Sequence, residues 1–169
     1  MKQGTELALG FDTTATAQKP PQAAGLAQRL APAVAASLEK WHEMVAQADM
    51  AELPAILHPQ AVFRSPMAHT PYPGAQAVQL ILSTVVKVFE EMTYHRQLDD
   101  ADGHSVVLEF SAKINGKELK GIDMIRFDDE GKIVDFEVMV RPMSGLQALG
   151  DEMGKRLAPY LAAMKGVKA

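Results

Sequence analysis

The chain has 169 residues, enough for one domain with a buried core and too few for two ordinary ones. Hydrophobic residues make up 47% and charged residues 22%, a globular balance that excludes wholesale disorder and a fibrous architecture. A net charge of -4, from 17 Lys and Arg against 21 Asp and Glu, gives no basic block to drive nucleic-acid binding by counterion release. Cysteine is absent, which excludes disulfides, zinc thiolates, iron–sulfur clusters and thiol nucleophiles together.

Residues 1–25 show no sustained period and end near Pro20-Pro21, so they read as a tail or arm. Between Leu26 and Gln47, apolar residues fall at Leu30, Val34, Leu38, Trp41 and Val45. These steps of three and four place them on one helical face, with Trp41 toward the core. A short helix over Ala51 to Leu57 and a short strand over Ala61 to Arg64 follow, separated by His58-Pro59. Pro66, Pro71, Pro73 and Gly74 crowd the next segment into a structured loop, and Val78, Ile81, Val85, Val88, Phe89 and Met92 mark a third helix over Ala75 to Met92.

After Met92 the period changes to two. Strands are signalled over His104 to Ile114, Lys117 to Phe127 and Ile133 to Val140, with a weaker one over Tyr94 to Leu98. Asn115-Gly116 suits a type I′ hairpin, because both residues tolerate positive φ. Consecutive hairpins form an antiparallel meander, and helices that precede it pack on one face. The fold class is α+β. From Gly145 to Met164, Leu146, Leu149, Met153 and Leu157 define a final amphipathic helix with Pro159 inside it. It serves either as packing on its own sheet or a twin subunit, or as a lid over a pocket.

Strand parity picks out one residue. In Lys117 to Phe127, Leu119, Gly121, Asp123, Ile125 and Phe127 share a face, so Asp123 sits on the apolar side. The neighbouring strands add Leu108, Phe110, Ala112 and Ile114, and Val134, Phe136, Val138 and Val140. An ionised carboxylate buried without partners costs several kcal/mol, so such a group keeps its proton and becomes a donor. A buried acid can protonate a substrate or stabilise an enolate oxygen; alternatively it satisfies a buried backbone group, a helix end or a cation. Asp123 is the candidate catalytic acid. The candidate ligand-binding residues are Trp41, with its indole N–H as a donor, Ser65 and His69 in the proline-rich loop, and the wall Phe110, Ile125, Phe136, Val138 and Val140.

The five histidines are scattered, without HExxH or paired ligand spacing, and no GxGxxG, P-loop or GxSxG is present, so no metal and no cofactor is expected. No run approaches the roughly 18 apolar residues of a membrane span, and Glu6 interrupts the stretch that a secretory signal needs apolar. The expected setting is cytoplasmic, with no membrane and no nucleic-acid partner.

The order of Trp41, Ala48-Asp49, Leu57, Ala61-Val62-Phe63, Ser65-Pro66, Gly74, Gly121-Ile122-Asp123, Arg126-Phe127-Asp128 and Gly131-Lys132-Ile133 resembles the SnoaL-like branch of the nuclear transport factor 2-like superfamily. The resemblance covers roughly residues 35–142 and implies a curved antiparallel sheet wrapped around three N-terminal helices as a cone-like barrel. The C-terminal amphipathic helix is then an addition. The chain divides accordingly into a tail (1–25), a cone domain (26–142) and a C-terminal helical extension (143–169).

The family includes ketosteroid isomerases, polyketide cyclases and epoxide hydrolases, and its acidic residue falls on Asp123. The isomerase base, an Asp before Pro, falls on Ser65, and the helix-borne tyrosine donor falls on Trp41. Both depart from the pattern. The Arg and second Asp of the epoxide hydrolases are also missing, since Leu108, Phe110 and Ala112 fill the inward positions of the nearest strand. The resemblance thus implies a small apolar ligand held in the cone, with acid-assisted cyclisation or isomerisation at Asp123. It also implies a homodimer through the outer sheet face, where Met124 and Met139 lie. The other reading is a non-catalytic dimeric binding or interaction module.

Overall fold

A computed structural model describes residues 29–165, with side chains described as far as residue 160. The segment 1–25 read as a tail, and Leu26, lie outside the described residues. Helix α1 spans Pro32–Gln47. It begins at Pro32 because a proline in the first turn gives up only an N–H that the helix would leave unpaired. Its buried face carries Val34, Leu38 and Trp41, as the sequence shows, while in the last turn Met44 is buried and Val45 only partly so.

A 3-10 turn, Leu53–Ile56, leads into β1, Leu57–Arg64. That strand starts four residues earlier than the sequence suggests and runs through His58-Pro59. β2, Tyr72–Pro73, is a two-residue strand in the proline-rich loop, paired to β1. α2 spans Ala75–Val85, shorter than the expected 75–92. From Glu90 the backbone pairs instead with the segment Ser105–Ile114, which satisfies its polar groups as β3, Glu90–Asp99. β4 (Ser105–Ile114), β5 (Lys117–Phe127) and β6 (Ile133–Arg141) follow. Helix α3, Met143–Lys165, closes the described chain.

The six strands are ordered β2-β1-β6-β5-β4-β3. β3 to β6 form the expected meander, while β1 joins β6 in parallel. Asn115 and Gly116 turn the β4–β5 hairpin with φ of 49° and 74°, as a type I′ turn requires. The sheet is curved and unclosed, and its concave face packs on α1 and α2 around Leu108, Ile125 and Phe136. A second cluster of Phe110, Ile114 and Leu119 is covered by Ala148 and Leu149 of α3. The final helix therefore packs on its own sheet. Among the described residues no helix is long and apolar enough to cross a membrane.

Candidate active site

From Leu119 to Phe127 every second residue of β5 is buried and those between are exposed or half-buried, and that alternation turns Asp123 inward, where it is 4% exposed. Its neighbours in register are Leu108 on β4 and Val138 on β6. Tyr94 of β3 donates a hydrogen bond from Oη to Asp123 Oδ2 at 2.8 Å. Trp41 of α1 donates from Nε1 to Tyr94 Oη at 3.0 Å. A helix, an outer strand and a central strand are thereby joined in one chain of donors that ends on the carboxyl. Asp123 Oδ1 has no hydrogen-bond partner among the described residues.

Burial pushes the Asp123 carboxyl up to about 7, against the opposing pull of the Tyr94 hydrogen bond, which favours the ionised form. Burial, and then the nearby Asp123 charge, raise Tyr94 well above the ordinary phenol range. Tyr94 therefore stays protonated and acts as donor. Near neutral pH the carboxyl holds comparable amounts of its acid and its base.

Asp123 lines a cavity of about 220 Å³ between α1, α2, α3 and the concave face of the sheet. Trp41, Phe63, Phe136 and Val138 line it near the carboxyl, with ring centroids of Trp41 and Phe136 5.0 Å apart and of Phe63 and Phe136 6.0 Å apart. Ser65, Met67 and Tyr72 line the same cavity from β2 and the loop before it. Ser65 Oγ accepts the Met67 backbone N–H at 3.1 Å, a local turn that ties the loop.

The expected site residues Trp41, Ser65, Asp123, Phe136 and Val138 thus come together at one cavity, and the others do not. His69 is exposed in the loop, outside the cavity lining; no sheet or helix pairing holds it inward. Phe110 lies across Gly121 on β5, in the second cluster under α3. Val140 packs with that same cluster. Ile125 is buried in the main core, beside Val106 and Phe136. These three face inward as parity requires, at other levels of the cone. Trp41 is also corrected in one respect: its N–H is taken by Tyr94 and is not free for a ligand.

Parity is shifted at the start of β6. Ile133 and Phe136 are both buried and Val134 is not, because the β5–β6 register slips between Arg126 and Phe127. Tyr94 is the site residue that sequence reasoning missed. Its signal was the pairing that places it opposite Phe110, which the weak alternation of β3 concealed. Leu149, Met153 and Leu157 of α3 also line the cavity, so the packing and covering readings of that helix both hold in part.

The model of the SnoaL-like domain matches residues 38–136, a span that contains Trp41, Tyr94 and Asp123. The chain belongs to the SnoaL-like family. Among solved structures, this SnoaL-like protein is 68% identical to one described as a steroid delta-isomerase from Pseudomonas aeruginosa. That match has a TM-score of 0.76 and covers 79% of this chain and 97% of the other. An uncharacterised protein with a cystatin-like fold from Silicibacter pomeroyi DSS-3 is 29% identical, with a TM-score of 0.73 over 82% of this chain and 94% of its own. An epoxide hydrolase/cyclase-like enzyme of pyran ring formation in the polyether salinomycin shares the fold at 18% identity and a TM-score of 0.54. It covers 64% of this chain and 90% of its own. A comparison with curated proteins finds no match.

Proposed function

We propose that this SnoaL-like protein binds a small apolar molecule carrying a carbonyl or hydroxyl oxygen, and that Asp123 meets that oxygen and assists isomerisation or ring closure. The observation that carries this reading is the Asp123 carboxyl, buried in an apolar cavity with Oδ2 held by Tyr94 and Oδ1 without a hydrogen-bond partner among the described residues. In its acid form the carboxyl donates a hydrogen bond to the substrate oxygen and stabilises negative charge that develops there. For isomerisation, its base form takes the proton from the carbon between the carbonyl and the alkene, and the acid so formed returns it to the far alkene carbon, so the double bond moves with no net gain or loss of a proton. The name of the 68% identical relative supports isomerisation over cyclisation.

The test is conversion of a β,γ-unsaturated ketone to its conjugated isomer, followed by ultraviolet absorbance. Asp123→Asn is expected to lower kcat by about 10²-fold or more, the size of a lost general acid. Unchanged turnover in that variant overturns the reading. A second reading, binding without turnover, is favoured by one observation: Asp123 is the sole carboxyl among the lining residues, and the Ser65 hydroxyl does not take a proton from carbon unaided. Saturable binding of such ketones without conversion would select it.

A further inference from the structure

The family match ends at residue 136, yet the cavity wall does not. Helix α3, Met143–Lys165, supplies Leu149, Gly150, Met153, Gly154 and Leu157 to the same lining as Asp123. Two of these are glycines one helical turn apart, on one face of the helix. A Cβ at Gly150 would fall 2.5 Å from Met67 Cε, while one at Gly154 would meet nothing within 4 Å. Gly154 is exposed and Asp123 buried, so the cavity runs from the carboxyl at its inner end to an opening at Gly154. Met67, 50% exposed, stands on the other side of that opening.

We propose that Gly150 and Gly154 of α3, with Met67 opposite, form the mouth of the ligand cavity and determine how long an apolar substrate the protein accepts. This rests on the function proposed above and adds the substrate's shape: an oxygen at one end, at Asp123, and an unbranched or flat apolar tail directed outward between α3 and the loop. Two features support it. The cavity volume of about 220 Å³ is below the roughly 300–1,000 Å³ of most ligand pockets, so a larger ligand must extend through the mouth. Glycine within a helix costs roughly 0.5–1 kcal/mol relative to alanine; here Gly150 leaves the room that the Met67 side chain fills, and Gly154 leaves open space where any other side chain would stand.

Trp41 is the one tryptophan of the chain and lines the cavity, so its fluorescence reports occupancy. The experiment titrates wild type, Gly154→Ala and Gly154→Leu with straight-chain methyl ketones of increasing length, from methyl propyl ketone to methyl nonyl ketone. Each buried methylene is worth roughly fourfold in affinity, so losing room for two costs about fifteenfold. Gly154→Leu is expected to weaken methyl nonyl ketone by about that factor and to leave methyl propyl ketone within about twofold, with Gly154→Ala between. Thermal melting should show both variants at least as stable as wild type, since each removes a helical glycine.

A length dependence identical in wild type and Gly154→Leu overturns the mouth and leaves the proposed function standing. Absence of binding of every ketone to wild type overturns the proposed function and the mouth with it. Equal weakening of short and long ketones by Gly154→Leu overturns the mouth as well.

Discussion

Tyr94 and Asp123 are 29 residues apart in sequence and share one proton-donating contact, Tyr94 Oη to Asp123 Oδ2 at 2.8 Å. Tyr94 holds the carboxyl in place and lowers its affinity for a proton, while its own oxygen accepts from Trp41. One phenol oxygen thus links the sole indole to the buried acid.

Tyr94→Phe keeps the ring against Phe110 and His42 and deletes only the oxygen. The carboxyl of Asp123 then loses the hydrogen bond that favours its ionised form, so its titration midpoint moves above about 7. The Trp41 N–H, buried, loses its acceptor, a cost of about 1–3 kcal/mol. Carboxyl-resolved infrared or carbon NMR titration checks the midpoint, and urea denaturation checks the stability. A midpoint unchanged from wild type would show that Tyr94 does not tune the acid.

The convex face of the sheet carries Met124 at 37% and Met139 at 49% exposure on adjacent strands. Apolar side chains exposed on a sheet face, flanked by the pairs Arg96–Glu109 and Lys120–Glu109, suit an isologous contact with a second copy of the chain. The expected state is a homodimer at micromolar concentration by light scattering. Met139→Asp would place two like charges near the dimer axis and is expected to yield a folded monomer. Wild type found monomeric would refute the assignment of this face.

The legible part of the site was the part governed by an unbroken period. β5 alternates from Glu118 to Phe127 and pairs with β4 without a register shift, so the inward direction of Asp123 could be read from its neighbours. β3 has register shifts on both sides of Tyr94 and exposed residues on much of its length, which erased the signal that would have set Tyr94 beside Asp123. Parity also reports a face and not a depth. Phe110, Ile125 and Val140 turn inward with Asp123, and only their packing against Gly121, Val106 and α3 places them away from the cavity. His69 belongs to a loop whose geometry depends on prolines and a two-residue strand, and no periodicity reports where such a side chain points. The α3 lining was half visible, since Leu149, Met153 and Leu157 mark the packed face. The glycines between them, Gly150 and Gly154, carry no periodic signal, and only the packing of α3 sets the cavity beside them.

The buried acid also sets a pH dependence of stability. In the unfolded chain Asp123 titrates near its ordinary value of 3.8, and in the folded chain near 7. Below 3.8 both states hold the proton and the group costs nothing. Between 3.8 and about 7 only the folded state holds it, so stability falls as pH rises, by about 1.4 kcal/mol per pH unit. The accumulated loss is about 4 kcal/mol, and above about 7 the contribution is flat. Asp123→Asn has nearly the same shape, keeps an oxygen to accept from Tyr94 and does not titrate. Its stability relative to wild type is therefore expected to be near zero at pH 4 and to grow to several kcal/mol at pH 8, measured as the urea midpoint of each protein across that range. Parallel curves for the two proteins would mean that Asp123 ionises as readily in the folded chain as in the unfolded one, and would remove the physical basis for an acid at this position.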